Sequence, residues 1–333
     1  MNTKQYDIIV VYSGGLDSKL AIKLLSMQGL SVLAVKFLHP FSPGLQSDKE
    51  NFYRDEMLDA DVLETPTDDK YLEIIPHPQH GYGSNANPCL DCKIHFLRRA
   101  WELAQKYNIK GIATGEVLGQ RPFSQRAEAM KLIENKAGLS GKVIRPLCAK
   151  LLPASEAEIM GIVDRSRLLD IRGRGRKRQM ELAKQFEIGD YPTPAGGCLL
   201  TDPGYSIKLF DAMKHNEFSA GMTQLLKFGR HFRIEGKRVV ISRDAEEETI
   251  LRKHFALGRI LLEPTIEKGP MALVNVDADT AIIDYAGQII ARYIRKGNDS
   301  TAVEIQISRD GNVLSKTLAS PANAIWVDEH LIR

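Results

Sequence analysis

The sequence predicts a doubly wound α/β fold, a mainly parallel sheet with helices on both faces, followed by a smaller C-terminal α+β domain. Three observations predict it. Strand-like apolar runs alternate with helical patterns from Ile8 to Val163. A Gly-rich turn, Ser13-Gly14-Gly15-Leu16-Asp17-Ser18, joins the first run to the first helical pattern. Beyond Tyr205 that alternation gives way to a different one.

The elements follow in order. Ile8 to Val11 reads as a buried parallel strand, and Leu20, Ile22, Leu24 and Leu25 read as the buried side of a helix. Ser31 to Phe37 is a second strand. His39 to Asn51 is a loop punctuated by Pro40, Pro43 and Gly44. Phe52 to Leu58 is expected as a short helix, and Tyr71 to Ile75 as a third strand stopped by Pro76. A polar, Gly-rich segment, His80 to Pro88, leads to Cys89-Leu90-Asp91-Cys92, and a helix runs on through Ile94, Leu97, Ala100, Trp101 and Ala104. Lys110 to Thr114 is the next strand, with Gly115-Glu116 at its C-terminal end. Val143 to Leu147 is another strand and Ser155 to Val163 another helix. In such sheets the ligand crevice lies beyond the C-terminal ends of the strands. The Ser13 turn, Gly115-Glu116 and the loop before Cys89 are expected to open onto it.

Three segments follow from this pattern: residues 1–163 as a nucleotide-binding domain, 164–204 as a basic and Gly/Pro-rich segment completing the active site, and 205–333 as a small α+β domain. In the last, Phe232 to Ser242 alternates across a Gly236 turn. Asp244 to His254 reads as a helix with acids in its first turn. Met271 to Val276 is a strand, Asp277 to Ile294 a long helix and Val303 to Ile307 a further strand.

Size and composition agree. A chain of 333 residues implies two or three domains, and 43% hydrophobic with 26% charged residues describes a globular protein with a real core. The net charge of +3 neither requires nor excludes a nucleic-acid partner, so the distribution of charge decides. Met1 to Tyr6 is polar, and the apolar run after it is too short for a signal peptide. No apolar run approaches the about 18 residues of a membrane span. A cytoplasmic location without a membrane partner is the expectation. Four cysteines in that compartment argue for metal or redox chemistry rather than structural disulfides.

The Ser13 turn has the makings of an anion site. Its glycines let the backbone approach an oxygen-rich group, the helix start supplies free N–H groups, and Ser13 and Ser18 add hydroxyls. Asp17 would repel a phosphate unless a magnesium ion joined the two. The turn lacks the Gly-Lys-Ser/Thr end of a Walker loop and is not a dinucleotide fingerprint. Cys89 and Cys92 form a Cys-x-x-Cys pair, which serves zinc, an iron–sulfur cluster or a redox disulfide. Cys198 ends a distant Gly-Gly turn, and Cys148 reads as a packing cysteine. His77 and His80 read as loop residues. Arg121 and Gln125 are candidates for contacting a phosphate or a target base. Arg165, Arg167, Arg172, Arg174, Arg176, Lys177 and Arg178 crowd one short span. Such a cluster suits phosphates, and structured RNA above all if an unstacked base is the target.

The Ser-Gly-Gly-x-Asp-Ser turn resembles the signature of the PP-loop ATP pyrophosphatases, whose fold is adenine nucleotide α-hydrolase-like. Asn87-Pro88-Cys89 and the Gly-Gly-Cys ending at Cys198 resemble the two cysteine sites of PP-loop tRNA thiolases, the 2-thiouridylase and 4-thiouridine synthase type. Ala113-Thr114-Gly115-Glu116 resembles that family's Ala-Thr-Gly-His nucleotide element, with Glu in place of His. The added Cys92 brings the chain nearer the cluster-dependent thiolases. The resemblance covers roughly residues 1–205, and the C-terminal part more weakly resembles a small RNA-binding domain attached to related proteins.

The resemblance implies an ATP-dependent tRNA sulfurtransferase that adenylates a uridine carbonyl and replaces its oxygen with sulfur. Ser13, Gly14, Gly15, Asp17 and Ser18 would hold ATP and Mg2+, with Gly115 and Glu116 at the adenylate. Cys89, Cys92 and Cys198 would hold a [4Fe–4S] cluster, or zinc, or carry a persulfide. Asp17, Cys89 and Cys198 would be catalytic. Arg172, Arg174, Arg176, Lys177 and Arg178 would grip tRNA. A sulfur donor, sulfide or a persulfide carrier, is implied as well. The alternatives are a PP-loop sulfur transferase or ligase acting on a small molecule, and a non-catalytic nucleotide-binding RNA partner.

Overall fold

A computed structural model describes residues 5–42, 45–189, 191, 198–295 and 299–333. The chain divides into two compact units, Met1–Thr201 and Asp202–Arg333.

The first unit has strands β1 (Ile8–Val11), β2 (Val32–Leu38), β3 (Asn51–Asp55), β4 (Ala60–Pro66), β5 (Gly111–Thr114) and β6 (Val143–Ile144). Its helices are α1 (Leu16–Ser26), α2 (Asp69–Ile74), α3 (Cys89–Lys106), α4 (Ala127–Ala137), α5 (Glu156–Ile159) and α6 (Lys177–Gln185). The sheet order is β3-β4-β2-β1-β5-β6, parallel except for the β3–β4 pair. Ile8 and Val10 face a core shared with Leu16 and Leu20 of α1 and Leu182 and Ala183 of α6. Ile9 faces the opposite core, with Leu97, Ala100 and Ala104 of α3 and Ile133 of α4. The doubly wound, mainly parallel fold is therefore present. The chain turns outward from β1 in one direction to β2 and in the other to β5, so the switch point lies between β1 and β5.

Two sequence expectations are corrected. Phe52 to Leu58 is not a helix: β3 pairs antiparallel with β4 from Asn51↔Glu64 to Asp55↔Ala60. Tyr71 to Ile75 is not a strand: the Asp68 carboxylate accepts a hydrogen bond from the Tyr71 N–H at 3.2 Å and starts α2. The third parallel strand is β4, disguised by Asp61, whose buried carboxylate accepts the Tyr6 hydroxyl at 2.7 Å. The helix expected over Ser155 to Val163 is only α5, capped by Ser155. Pro43, Gly44 and the Gly196–Gly197 turn before Cys198 lie outside the described residues.

The second unit has α7 (Pro203–Lys214), α8 (Ala220–Leu225), β7 (Arg230–Ile234), β8 (Lys237–Ile241), α9 (Ala245–Phe255), β9 (Arg259–Pro264), β10 (Ala272–Asn275), α10 (Thr280–Ile294), β11 (Val303–Arg309), β12 (Asn312–Ala319) and α11 (Ala324–His330). Its sheet, in the order β12-β11-β9-β10-β8-β7, is antiparallel throughout. Ile282, Ala286, Ile289 and Ile290 of α10 pack on one face, against Phe232, Ile241 and Leu262. Among the described residues no helix is long and apolar enough to cross a membrane.

Candidate active site

The Ser13 turn leaves β1 at the switch point. Gly14 has φ +78°, a left-handed conformation that glycine adopts without strain. Gly15 precedes α1 and offers no side-chain cap, so the first N–H groups of α1 remain available to an anion. Ser18, nearly buried, braces the turn: its hydroxyl donates to the Gly15 carbonyl at 2.8 Å and accepts the Ser13 N–H at 3.3 Å. Gly115, just past β5, is forced by packing. A Cβ there would meet the Ser18 backbone nitrogen at 2.5 Å. Glycine at this position is what lets the β5 end close against the start of α1.

Ser13, Asp17, Ser18, Cys89, Gly115 and Glu116 line one cavity of about 230 Å³, together with Lys93, Arg121 and Gln125. The structure thus brings together the turn, the Gly115-Glu116 element and the first cysteine.

Asp17 is held from two sides. Gln120 donates to its Oδ2 at 2.7 Å, and Gln179 of α6 donates to Gln120 Oε1 at 3.0 Å. Arg176 Nη2 stands 3.7 Å from the other oxygen, Oδ1. That oxygen is buried and has no hydrogen-bond partner among the described residues. A buried carboxylate oxygen with no donor, beside a phosphate-binding turn, fits a divalent cation.

Glu116 belongs to a buried cluster. It accepts Lys93 Nζ at 2.5 Å and Arg145 Nε at 3.0 Å, and Arg145 also pairs with Glu134. Burial alone would raise the Glu116 carboxyl, but Lys93 and Arg145 overcome this and hold it down at about 2. Glu116 therefore fixes Lys93 at the cavity wall.

The cysteines come from separate segments held together by backbone contacts. Leu199 N–H donates to the Phe41 carbonyl at 2.9 Å, and Asn85, in the loop before Cys89, donates to the Thr201 carbonyl at 2.8 Å. These ties bring Cys198 near Cys89, and the two thiols act on each other electrostatically. Burial pushes the Cys198 thiol up to about 11, with the Cys89 charge adding to this and the Leu200 amide and Arg121 opposing it. Cys92 is buried and donates to the Tyr71 hydroxyl at 3.6 Å, and burial drives its thiol far up. Cys148 lies apart, donating to the Glu116 carbonyl at 3.4 Å, with burial pushing it up to about 11.

Among the described residues no three His, Cys, Asp or Glu side chains are gathered as a metal site. Cys92 nevertheless senses both Cys198 and Cys89 electrostatically, so the three thiols share one neighbourhood, with the Cys92 S–H turned to Tyr71.

The other sequence candidates fall as follows. Gln125 serves its own loop, its Oε1 accepting the Arg121 N–H at 3.1 Å. His80 is tied to Asp91, between the two cysteines, at 2.8 Å. Arg172, Arg174, Lys177 and Arg178 are exposed, whereas Arg176 reaches Asp17. Sequence reading missed Lys93, Gln120, Gln179 and Arg145. Lys93 had a signal, four residues after Cys89 and so on the same face of α3. Gln179 is three residues after Arg176 on α6 by the same rule. Gln120 and Arg145 had none.

Residues 3–151 match the family model of the thiamine biosynthesis protein (ThiI), and residues 229–329 match that of the NFACT protein RNA binding domain. No curated protein matches the chain. Three solved structures are similar at low identity. The C-terminal part of the fibronectin/fibrinogen-binding protein from Streptococcus suis aligns over 48% of this chain and 79% of its own, at 11% identity and a TM-score of 0.27. A predicted subunit of tRNA methyltransferase from Methanocaldococcus jannaschii aligns over 54% and 74%, at 18% identity and a TM-score of 0.30. NMN synthetase from Francisella tularensis aligns over 59% and 92%, at 14% identity and a TM-score of 0.26. With its Ser-Gly-Gly-x-Asp-Ser turn at the switch point of a doubly wound sheet, the N-terminal unit is a domain of the PP-loop ATP pyrophosphatase superfamily, resembling that of the tRNA thiolases.

Proposed function

We propose that the protein is an ATP-dependent tRNA sulfurtransferase. The observation that carries this reading is the shared cavity: a pyrophosphate-type turn, the Gly115-Glu116 element and the Cys89 thiol line the same space. A uridine carbonyl oxygen is a poor leaving group. It attacks the α-phosphorus of ATP, and the bond to the β-phosphate breaks to release pyrophosphate. The Ser13 turn and the start of α1 hold the departing phosphates with backbone N–H groups. Asp17 would hold Mg2+, which supplies charge neutralisation between carboxylate and phosphate. Glu116 keeps the Lys93 ammonium at the cavity wall, a cation beside the transferred phosphate.

A sulfur nucleophile then attacks the adenylated carbon, and AMP leaves with the former oxygen. Cys89 and Cys198 are the thiols placed to receive sulfur from a donor. If the sulfur arrives from a persulfide carrier as a Cys89 persulfide, its outer sulfur attacks the adenylated carbon. The Cys198 thiolate then attacks the Cys89 sulfur to break the S–S bond and release the thiouridine, and an external thiol reductant restores the Cys89–Cys198 disulfide to two thiols. Cys198 is the neighbour that senses Cys89. Both are half-buried, so a sulfur species carried there is partly shielded from solvent. The exposed Arg172, Arg174, Lys177 and Arg178 and the C-terminal unit, matched to an RNA-binding family, would hold the tRNA.

The test is a reaction of anaerobically purified protein with unmodified tRNA, Mg-ATP, a persulfide sulfur donor and a thiol reductant, followed by digestion and mass spectrometry. A thiouridine is expected, formed with AMP and absent from the Asp17→Asn, Cys89→Ala and Cys198→Ala proteins. AMP release without any thionucleoside would move the assignment to a small-molecule substrate.

A further inference from the structure

The arginine-rich stretch is not uniform. Arg172, Arg174, Lys177 and Arg178 are exposed, but Arg176 has only 19% of its side chain accessible and turns inward to the Ser13 turn. Its position is fixed by α6, which packs through Leu182 and Ala183 against the core shared with α1. The same helix supplies Gln179, fully buried, which orients Asp17 through Gln120. One helix thus governs both neighbours of the Asp17 carboxylate.

Three buried atoms there are left without partners among the described residues, Asp17 Oδ1, Gln179 Oε1 and Arg176 Nε, and of these Asp17 Oδ1 and Arg176 Nε belong to the two side chains of the ion pair. These two have opposite needs, one for a cation or donor and the other for an acceptor. They do not satisfy each other, because the nearest approach of the two side chains is 3.7 Å, beyond hydrogen-bond reach. Leaving a buried donor unmet is unfavourable. A ligand that carries a divalent cation and an oxyanion side by side would meet both. Guanidinium is the side chain best shaped for phosphate oxygens, through parallel N–H groups.

We propose that Arg176 binds the pyrophosphate part of Mg-ATP, rather than RNA, and so acts as a nucleotide-binding residue supplied from outside the Ser13 turn. This rests on the reading that the turn binds ATP. The departing pyrophosphate would be held between the N–H groups of α1 on one side and the Arg176 fork on the other, with the cation on Asp17.

The test is calorimetric titration of the full chain with Mg-α,β-methylene-ATP, which cannot be cleaved at the reacting bond, and separately with AMP and with unmodified tRNA. Arg176→Ala should weaken the ATP analogue about 10- to 100-fold, Arg176→Lys by an intermediate amount, since it keeps the charge and loses the fork. AMP and tRNA affinities should stay within about twofold, because neither ligand carries the contacted group. Lys184→Ala, which removes one exposed charge from the same helix, should change none of the three. Unchanged analogue binding in Arg176→Ala, or weakened AMP binding, would overturn the proposal. A loss confined to tRNA would return Arg176 to the RNA surface. A wild-type protein that ignores the analogue would remove the underlying ATP reading, and this proposal with it.

Discussion

Each unit buries two cations against two carboxylates, and the two clusters differ in what they leave over. In the C-terminal unit Arg233 and Arg238, from β7 and β8, meet Asp211 and Glu217 at the end of α7. Every guanidinium nitrogen is engaged: Arg233 reaches the Gly236 carbonyl as well, and Arg238 reaches His231, whose other ring nitrogen faces the Phe228 carbonyl at 2.8 Å. In the N-terminal unit Lys93 and Arg145 meet Glu116 and Glu134, but Arg145 Nη2 is buried without a partner among the described residues, and Lys93 borders the cavity. The closed cluster ties a helix to a hairpin. The open one holds charge at a wall where a ligand can use it. Cavity size does not make this distinction. The C-terminal unit has the larger cavity, about 660 Å³, with Arg230 over the Tyr293 ring, yet among the described residues its lining contains no thiol.

The comparison breaks most visibly at Glu217. Glu217→Gln leaves both arginines short of a carboxylate in a mostly buried setting. It should destabilise the C-terminal unit by about 3–5 kcal/mol, the usual effect of removing one partner of a buried ion pair. Mg-ATP binding per folded molecule should not change. Denaturant unfolding followed beside ATP titration checks both parts, and weaker ATP binding by fully folded Glu217→Gln would show that the closed cluster also serves the site.

Glu116 should behave in the opposite way, combining stability with chemistry. Its carboxyl is held at about 2 in the folded protein, against roughly 4.3 in an unfolded chain. A depressed carboxyl stabilises fully above the unfolded value, and that stabilisation disappears as pH falls through the folded one. The N-terminal unit should therefore lose about 3 kcal/mol between roughly pH 4.3 and 2. Glu116→Gln should remove that slope and also lower ATP turnover at neutral pH, because Lys93 loses its anchor. A Glu116→Gln protein with normal turnover would make this cluster as purely structural as the other.

What the sequence disclosed follows the same division. The Ser13 turn, β1, β2, β5 and the helix after Cys89 were legible because local pattern and tertiary role agree there. Asp244 and its acidic first turn marked α9 within one residue, and the Gly236 turn marked the β7–β8 hairpin. β4 was hidden by Asp61, a charge inside a strand that its contacts with Tyr6 and Arg54 explain. Tyr71 to Ile75 is too short an apolar run for periodicity to separate strand from helix, and the Asp68 cap decided it. In the site, residues on the glycine turn were readable, while Gln120 and Arg145 arrive through long-range packing that no spacing rule anticipates. Arg176 stood out only as one of several basic residues, because sequence does not show which member of a charged run points inward.

That last distinction gives the smallest expected effect and divides the two units by partner. Arg172 and Arg174 are exposed beside Arg176, so a double substitution to alanine removes two prospective phosphate contacts without touching Asp17. Each phosphate contact contributes roughly 0.7–0.9 to the slope of log affinity against log salt. The double variant should reduce the steepness for tRNA by about 1.4–1.8 and leave Mg-ATP binding as it was. Fluorescence titration of labelled tRNA across a salt series measures this directly. An unchanged slope would take Arg172 and Arg174 off the RNA surface and leave the phosphate contacts to Lys177, Arg178 and the C-terminal unit.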